Sequence, residues 1–190
     1  MSQLLISSDE LAQCAHTAQI LDCRAKLGDP GWGQMVFEQG HIAQAQYVNL
    51  DTMLSTAPNE HGRHPLPTQK QWLEQVRALG LRNDAQIVVY DDAGGCFAAR
   101  AWWMLRWLGH ANVAVLDGGL QQWSQTLQTG SATVPEPSAF TQQRSLTRLY
   151  DSDQVLAAIQ QPIATRPRLV DARSHERFAG KKEPIDAVAG

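Results

Sequence analysis

The side chains that could do chemistry in this chain stand directly after two apolar runs. Asp22 and Arg24 follow one run, and Asp91 and Asp92 follow the other. Neighbouring carboxylates could act as an acid–base pair, but adjacent residues on an extended chain point apart, which favours a solvated or helix-capping role. Asp22 and Arg24 could also be site residues, although we expect them to pair with each other or with loop backbone and to fix the strand end.

The three cysteines include one candidate nucleophile. Cys96 lies in a glycine-bearing loop before a tryptophan-rich helical pattern, where a helix N-terminus can favour the reactive thiolate. The alternative is a small loop or core residue, as a free cysteine usually is. We expect Cys14 and Cys23 to be buried structural residues. An odd, sparse set of cysteines is a poor disulfide framework and favours a reducing, cytoplasmic location.

Three other patterns resemble binding motifs but favour structural roles. His61 and His64 have a metal-ligand spacing, yet only Glu60 stands nearby as a partner, so we expect no metal site. The stretch Asp117-Gly118-Gly119 lacks the spacing of a phosphate-binding loop and predicts a tight turn. The tryptophans at 102, 103 and 107 cover one helix face, which favours packing against a sheet over stacking on a ligand.

The composition excludes several classes of protein. The chain has 190 residues, of which 43% are hydrophobic and 18% are charged, and its net charge is −3. These proportions allow a sizeable buried core and argue against disorder. No run of basic residues indicates a nucleic-acid partner, no apolar run is long enough to span a membrane, and the N-terminus lacks the features of a signal peptide.

Short apolar runs typical of strands alternate with helical patterns along the chain. Ser7 and Glu10 have capping-box spacing, Thr68 opens an amphipathic pattern, and Ser152 is expected to cap a later helix. The glycine-bearing stretch 27–40 predicts a loop. The predicted strands are 4–6, 20–22, 47–50, 86–90, 113–116 and 168–171, and the predicted helices are 7–18, 68–80, 98–108 and 153–160. This alternation predicts an α/β domain with a central, mainly parallel sheet flanked by helices.

An internal repeat divides the chain. Leu21-Asp22-Cys23-Arg24 is echoed by Val170-Asp171-Ala172-Arg173 at an offset of about 149 residues, and each copy follows a helix and precedes a polar loop. That loop reaches Gly40 in the first copy and Gly190 in the second. We expect a whole domain over 1–125, an extended linker over 126–146, and the truncated start of a second copy over 147–190.

Together these motifs resemble the rhodanese family of sulfurtransferases, in particular its tandem two-domain members. The resemblance covers nearly the whole chain, and the order and spacing of the motifs make it specific. The matching pieces are Leu21-Asp22-Cys23-Arg24, Gly40-His41-Ile42, Val88-Val89-Tyr90-Asp91, Ala101-Trp102-Trp103-Met104-Leu105, Leu108-Gly109-His110, Leu116-Asp117-Gly118-Gly119-Leu120 with Trp123, Asp171-Ala172-Arg173 and Arg177-Phe178.

The resemblance implies a specific chemistry and no metal or organic cofactor. In the family, the active copy carries a cysteine at the end of the central strand, in a loop before a helix N-terminus. Its thiolate takes the outer sulfur of a small-molecule donor, thiosulfate or 3-mercaptopyruvate, and a thiophilic acceptor such as cyanide or a thiol then removes that sulfur. Converging backbone N–H groups and the helix dipole stabilise the thiolate and the persulfide.

This sequence departs from the active pattern at the decisive position. Asp91 stands where the nucleophilic cysteine is expected, and a carboxylate cannot form a persulfide. The first domain of tandem members also lacks the cysteine, which their second domain carries. The repeat offset puts the cysteine of the second copy at about position 240, beyond Gly190, so we expect this chain to be inactive alone.

One donor-binding residue of the second copy falls within the chain. Arg177 matches the arginine that helps to bind the anionic donor in the family. Mercaptopyruvate-preferring members place another arginine after a later Glu-Pro. Here Glu183-Pro184 is followed by Ile185, which favours thiosulfate as the donor.

A non-catalytic binding or regulatory module is the alternative function. Asp91 and the missing second loop support it, whereas the linker and the start of a second copy argue against it, because a free-standing module needs neither. We also expect residues 147–190 to expose apolar surface, and proteases to cut between Thr126 and Ser145.

Overall fold

The computed structural model describes residues 3–60 and 62–184. The predictions made for His61, Ile185 and Gly190 fall outside these residues. The chain forms two compact units, Met1–Arg148 and Leu149–Gly190, and each is described by itself.

A five-stranded parallel sheet forms the centre of the first unit. Its strands are β1 (Leu5–Ile6), β2 (Gln19–Asp22), β3 (Gln46–Tyr47), β4 (Ile87–Tyr90) and β5 (Val113–Leu116). Their order is β1-β5-β4-β2-β3, and every neighbouring pair is parallel. Asp22 at the end of β2 is in register with Tyr90 at the end of β4, so both strands deliver their last residues to one edge of the sheet.

Helices cover both faces of this sheet, which confirms the predicted α/β architecture. They are α1 (Ser8–Cys14), α2 (Trp32–Gln39), α3 (Gln69–Ala78) and α4 (Ala98–Trp107). On one face Val89 packs in a buried cluster with residues of α3 and α4, and on the other Val88 packs with residues of α1 and α2. Strand β4 is buried throughout, which explains why its apolar run does not alternate with polar residues.

Helix α2 corrects the prediction of a loop over 27–40. The helix begins after Gly31, which offers no side-chain cap, so the usual start signal is absent. Gly33, which counted against a helix, is required by close packing, since a Cβ there would collide with the Tyr47 hydroxyl and the Arg24 carbonyl oxygen.

A capping box begins α1 and Thr68 begins α3, as the sequence predicts, and Thr68 also forms a second capping box that was not predicted. Ser7 pairs with Glu10 at the first helix, and Thr68 pairs with Gln71 at the second. At helix α5 (Ser152–Ile159) the prediction of Ser152 as the cap is wrong. Asp151 is the N-cap, and its carboxylate accepts the backbone N–H of Gln154 at 2.7 Å.

Residues 128–146 run extended along the first unit, and we call this segment the strap. Its Phe140 is 1% exposed and belongs to the buried cluster that includes residues of α3 and α4. The backbone N–H groups of Ser138, Gln143 and Leu146 donate to carbonyl oxygens in or just after α3 and α4 over 2.8–2.9 Å. A segment fastened in this way is expected to resist local opening, which argues against early protease cleavage between Thr126 and Ser145.

The second unit contains α5 and the short helix α6 (His175–Phe178). The prediction of a strand over 168–171 is wrong in this structure, because no neighbouring strand pairs with it among the described residues. Leu169 and Val170 are instead 58% and 83% exposed, in line with the apolar surface expected of this segment.

Candidate functional site

The loop between β4 and α4 wraps around the carboxylate of Asp91. One carboxylate oxygen accepts the backbone N–H groups of Ala93 and Gly95 at 2.9 and 2.8 Å. The other accepts those of Phe97 and Ala98 at 2.8 and 2.9 Å. We call these four N–H groups the cradle. Asp91 is 1% exposed, so its negative charge is held by the cradle rather than by water.

The local sequence explains how the cradle forms. Gly94 and Gly95 have φ angles of 69° and 87°, which turn the loop so that successive N–H groups face inward. Ala98 is the first residue of α4, so the positive end of the helix dipole also faces the carboxylate. Of the two roles expected for Asp91, the structure shows attachment to the helix start and not solvation.

The turn after β5 closes against the same loop. The N–H of Leu120 donates to the Asp91 carbonyl oxygen at 2.8 Å. A Cβ at Gly119 would collide with that oxygen, and Gly119 has a φ of 63°. The tight turn predicted for Asp117-Gly118-Gly119 is confirmed, and its task is to hold the end of β5 close to Asp91.

A buried ion pair occupies the end of β2, as predicted. Nη2 of Arg24 lies 2.7 Å from Oδ2 of Asp22, and Nε lies 3.0–3.1 Å from the two carboxylate oxygens. The side chains of Arg24 and Asp22 are 6% and 0% exposed. We call this arrangement the fork. Arg24 also donates to the carbonyl oxygen of Gly40 at 2.7 Å, so the fork ties β2 to the end of α2.

Tyr90 completes the fork, and the sequence reasoning missed it. Its hydroxyl donates to Oδ2 of Asp22 at 2.7 Å and accepts the backbone N–H of Ile42 at 3.2 Å. A polar aromatic residue ending an otherwise apolar strand was the available signal, because a buried phenol needs a hydrogen-bond partner. The Tyr90 hydroxyl thereby connects β4 with β2.

Burial and charge set the protonation states at this edge. Burial alone would lower the pKa of Arg24, but its hydrogen bonds with Asp22 and the charge of Asp22 raise that pKa overall. Burial and the Asp22 charge raise the pKa of Tyr90. Burial also raises the pKa of the Cys23 thiol, and the charges of Asp22 and Asp91 add to that effect. Cys23 is therefore a buried, protonated thiol without nucleophilic character, as expected.

Asp92 and Cys96 have different surroundings from Asp91, although they share its loop. Asp92 is partly exposed, and burial raises the pKa of its carboxyl. Cys96 is exposed, while the cradle N–H groups already bind Asp91. The two adjacent carboxylates thus do not form an acid–base pair. Cys14 is only partly buried, which departs from the expectation of full burial.

The second unit repeats the fork without the burial. Nη2 of Arg173 lies 2.7 Å from Oδ2 of Asp171, the distance found in the fork of the first unit, but the side chains are 30% and 32% exposed. Hydrogen bonds from Arg173 lower the pKa of Asp171. The structure pairs Arg177, the expected donor-binding residue, with Glu183, whose carboxylate oxygens lie 2.9–3.1 Å from Nε and Nη2.

The remaining candidates have structural surroundings. The indole N–H of Trp102 donates to the Val113 carbonyl oxygen at 3.2 Å, and Arg106 stacks over the same ring. His64 lies 3.2 Å from an oxygen of Asp51. Within 3–60 and 62–184, no three metal-ligating side chains come together. In the same part of the chain, no helix has the length and apolar character needed to cross a bilayer.

Comparison with known families and sequences identifies the architecture. The family model of the rhodanese-like domain matches residues 7–126. A probable 3-mercaptopyruvate sulfurtransferase of Pseudomonas aeruginosa is 42% identical over 90% of this chain and 61% of that protein. A putative thiosulfate sulfurtransferase, SseB, of Mycobacterium tuberculosis is 40% identical over 99% of this chain and 67% of that protein.

Solved structures give the same result. The 3-mercaptopyruvate sulfurtransferase of Leishmania major has a TM-score of 0.78 and 27% identity, over 94% of this chain and 49% of that protein. SseA of Escherichia coli, a 3-mercaptopyruvate sulfotransferase, has a TM-score of 0.70 and 28% identity, over 84% of this chain and 63% of that protein. The chain therefore spans about half to two thirds of the length of these relatives.

Proposed function

This chain belongs to the rhodanese-like domain family, and from that premise we propose that it forms part of a tandem-domain sulfurtransferase. The first copy, proposed as 1–125, is the non-catalytic one. The strap lies within the proposed linker, 126–146, and residues 147–190 begin the catalytic copy. The shared geometry of the two forks supports this duplication, because the same local arrangement recurs at the same place in each repeat.

Asp91 carries the assignment of the first copy as non-catalytic. It stands at the end of β4, where the nucleophile of an active copy is expected, and all four cradle N–H groups bind its carboxylate. A carboxylate cannot form a persulfide, and the N–H groups that would stabilise one in an active copy are already bound to Asp91. The nucleophilic cysteine is accordingly proposed in the second copy, at about position 240.

The proposed reaction is the transfer of sulfane sulfur from thiosulfate to a thiophilic acceptor. The cysteine thiolate attacks the outer sulfur, the S–S bond of thiosulfate breaks, and sulfite leaves with the bonding electrons. Cyanide or a thiol then takes the outer sulfur and regenerates the thiolate. Because relatives named for thiosulfate and for 3-mercaptopyruvate are similarly close, 3-mercaptopyruvate is the alternative donor.

Arg177 is the proposed contact for the anionic donor. Its guanidinium is held by Glu183, whose side chain is 6% exposed, so the arginine is fixed in orientation before a donor arrives. A fixed guanidinium loses less freedom when it binds an anion, which favours binding.

A non-catalytic binding module is the second candidate function, and the filled cradle favours it. Because the cradle binds the chain's own Asp91, the surface around it does not depend on whether a sulfur donor is present. In that case the chain would act by contacting another protein and would carry no sulfur.

Thiocyanate formation from thiosulfate and cyanide separates these functions. This chain and its Cys96→Ser variant are expected to form none, whereas a longer form that includes the second loop is expected to be active. In that longer form, Arg177→Met should raise the KM for thiosulfate, while Arg168→Met, at an exposed position, should not. An inactive, folded longer form would favour the binding module, and activity lost from this chain on Cys96→Ser would contradict the proposal.

A further inference from the structure

We propose that Asp91 is a built-in mimic of a cysteine persulfide, which keeps the cradle of the first copy permanently in its sulfur-loaded state. This inference rests on the proposed function, because it takes the cradle to be a sulfur-binding structure. It assigns Asp91 a positive role beyond the loss of a nucleophile.

The covalent geometry of the two groups supports the mimicry. In aspartate the charged oxygens are two bonds from Cβ, through Cγ. In a cysteine persulfide the outer sulfur is likewise two bonds from Cβ, through Sγ, and it carries the negative charge. The outer sulfur of a persulfide at this position would therefore point into the same cradle as an Asp91 oxygen, with its longer C–S and S–S bonds carrying it somewhat farther from Cβ. Four N–H groups at 2.8–2.9 Å bind the two Asp91 oxygens.

The cradle is a property of the backbone and is not specific to a carboxylate. Its donors are main-chain N–H groups placed by Gly94 and Gly95, by the start of α4 and by the turn at Gly119. Backbone donors stabilise any anion of suitable size, including a thiolate or a persulfide. The same scaffold should therefore accept sulfur chemistry if position 91 supplies a thiol.

The cradle also gives a reason to expect no such chemistry at the exposed thiol nearby. Cys96 is on the outer side of the loop, and the N–H groups that would stabilise its thiolate or persulfide are bound to Asp91. An aspartate in the cradle thus prevents sulfur loading of the first copy in two ways. It replaces the nucleophilic thiol, and it binds the N–H groups that would stabilise a persulfide.

The direct test is Asp91→Cys in a Cys96→Ser background, with Cys96→Ser alone as the control. The cysteine side chain ends at Sγ, without the two oxygens of aspartate. The substitution therefore leaves room in the cradle for the outer sulfur of a persulfide. The ultraviolet absorbance of the thiolate should appear at least about one pH unit below the pKa of about 8.5 of a free thiol. This titration requires only protons and is independent of which donor the parent enzyme uses.

Sulfur loading is the second readout. With thiosulfate, the thiolate introduced at position 91 should displace sulfite and gain one sulfur atom, which cyanide then removes as thiocyanate. Peptide mapping should place the added sulfur at position 91, and the loaded variant should melt at a higher temperature than the unloaded one. The control should gain no sulfur, because Cys23 is buried and protonated and Cys14 lies at the end of α1, outside the cradle, where its thiol donates to Oε1 of Gln86.

A folded Asp91→Cys variant that titrates like a free thiol, or that gains no sulfur, would overturn the proposal. If this variant does not fold, Asp91→Asn decides. Asparagine keeps the size but offers one acceptor oxygen and no charge, so the midpoint of unfolding should fall clearly. An unchanged midpoint would show that the cradle needs no anion and would also overturn the proposal. If the Asp91→Cys variant gains sulfur while the longer form is inactive, this inference is supported and the proposed sulfurtransferase function is contradicted.

Discussion

Replacing Arg24 by methionine should strongly destabilise the first unit. Methionine keeps the unbranched chain but removes the guanidinium, which leaves the Asp22 carboxylate buried without its cation. The loss of one partner of a buried ion pair typically costs about 3–5 kcal/mol. The fork belongs in this range because its side chains are 6% and 0% exposed and because Arg24 also supports Gly40.

Urea unfolding followed by tryptophan fluorescence measures this effect. All six tryptophans lie between positions 32 and 123, so the signal reports the first unit. With a slope of about 2 kcal/mol/M, the expected loss lowers the midpoint by about 2 M. Arg24→Lys should lose less, because it keeps the charge and loses only the two-pronged geometry.

Arg173→Met is the matched control for this prediction. It removes the same group from the fork of the second unit, where the two side chains are 30% and 32% exposed. The midpoint of the tryptophan transition should not change. If Arg24→Met also left the midpoint within about 0.5 M of the wild type, the claim that the buried fork holds β2 to its surroundings would be refuted.

Three further perturbations have defined outcomes. Gln44 has a φ of 66° in a turn that favours glycine there, so Gln44→Gly should raise the free energy of unfolding by about 1 kcal/mol in the same assay. Gly119→Ala should destabilise more than Gly94→Ala, since both share a positive φ but only the first meets a neighbouring carbonyl; equal losses would refute this. Trypsin should cleave after Arg144 in the strap only once the second unit is digested. Phe140→Ala, which should lower the free energy of unfolding by about 3–5 kcal/mol, should make Arg144 an early cleavage site. Early cleavage after Arg144 in the wild type would contradict a fastened strap.

The sheet could be predicted from the sequence because its strands carry strong local signals. The run at β4 has no polar residue to mark a solvent face, and β5 matches its predicted bounds of 113–116. The capping box at α1 was predictable because Ser7 and Glu10 lie within four residues of each other. Helix α2 could not be predicted, because its first turn has no side-chain cap. Its Gly33 is explained by close packing against Tyr47, which is distant in sequence.

The site could be predicted only in part. The pairing of Asp22 with Arg24 is local and was expected. The hydroxyl of Tyr90 donates to the same carboxylate from another strand. Because the two residues are far apart in sequence, no local motif predicts that contact. The cradle was predicted only in outline, as a possible helix-capping role of Asp91. The sequence marks Asp91 as a replacement for a nucleophile, but the inward turn of the loop at Gly94 and Gly95 depends on three-dimensional closure.

The strap shows how composition can mislead. Its Ser, Thr, Gln and Pro residues are typical of a linker, and it is indeed extended. A single buried ring, that of Phe140, and a few backbone hydrogen bonds are enough to fix it on the first unit. Linker composition therefore predicts the absence of regular elements better than it predicts freedom of movement.

The most direct test of the account is the intact mass of this chain after incubation with thiosulfate. Asp91 already binds the cradle N–H groups, so none of them can stabilise a thiolate at Cys96. Cys23 is buried and protonated, and Cys14 lies at the end of α1, outside the cradle, where its thiol donates to Gln86. The account predicts that the chain gains no sulfur and that cyanide then releases no thiocyanate. A stable gain of one sulfur atom mapped to Cys96 would contradict it, because the first copy would then be a sulfur carrier in its own right.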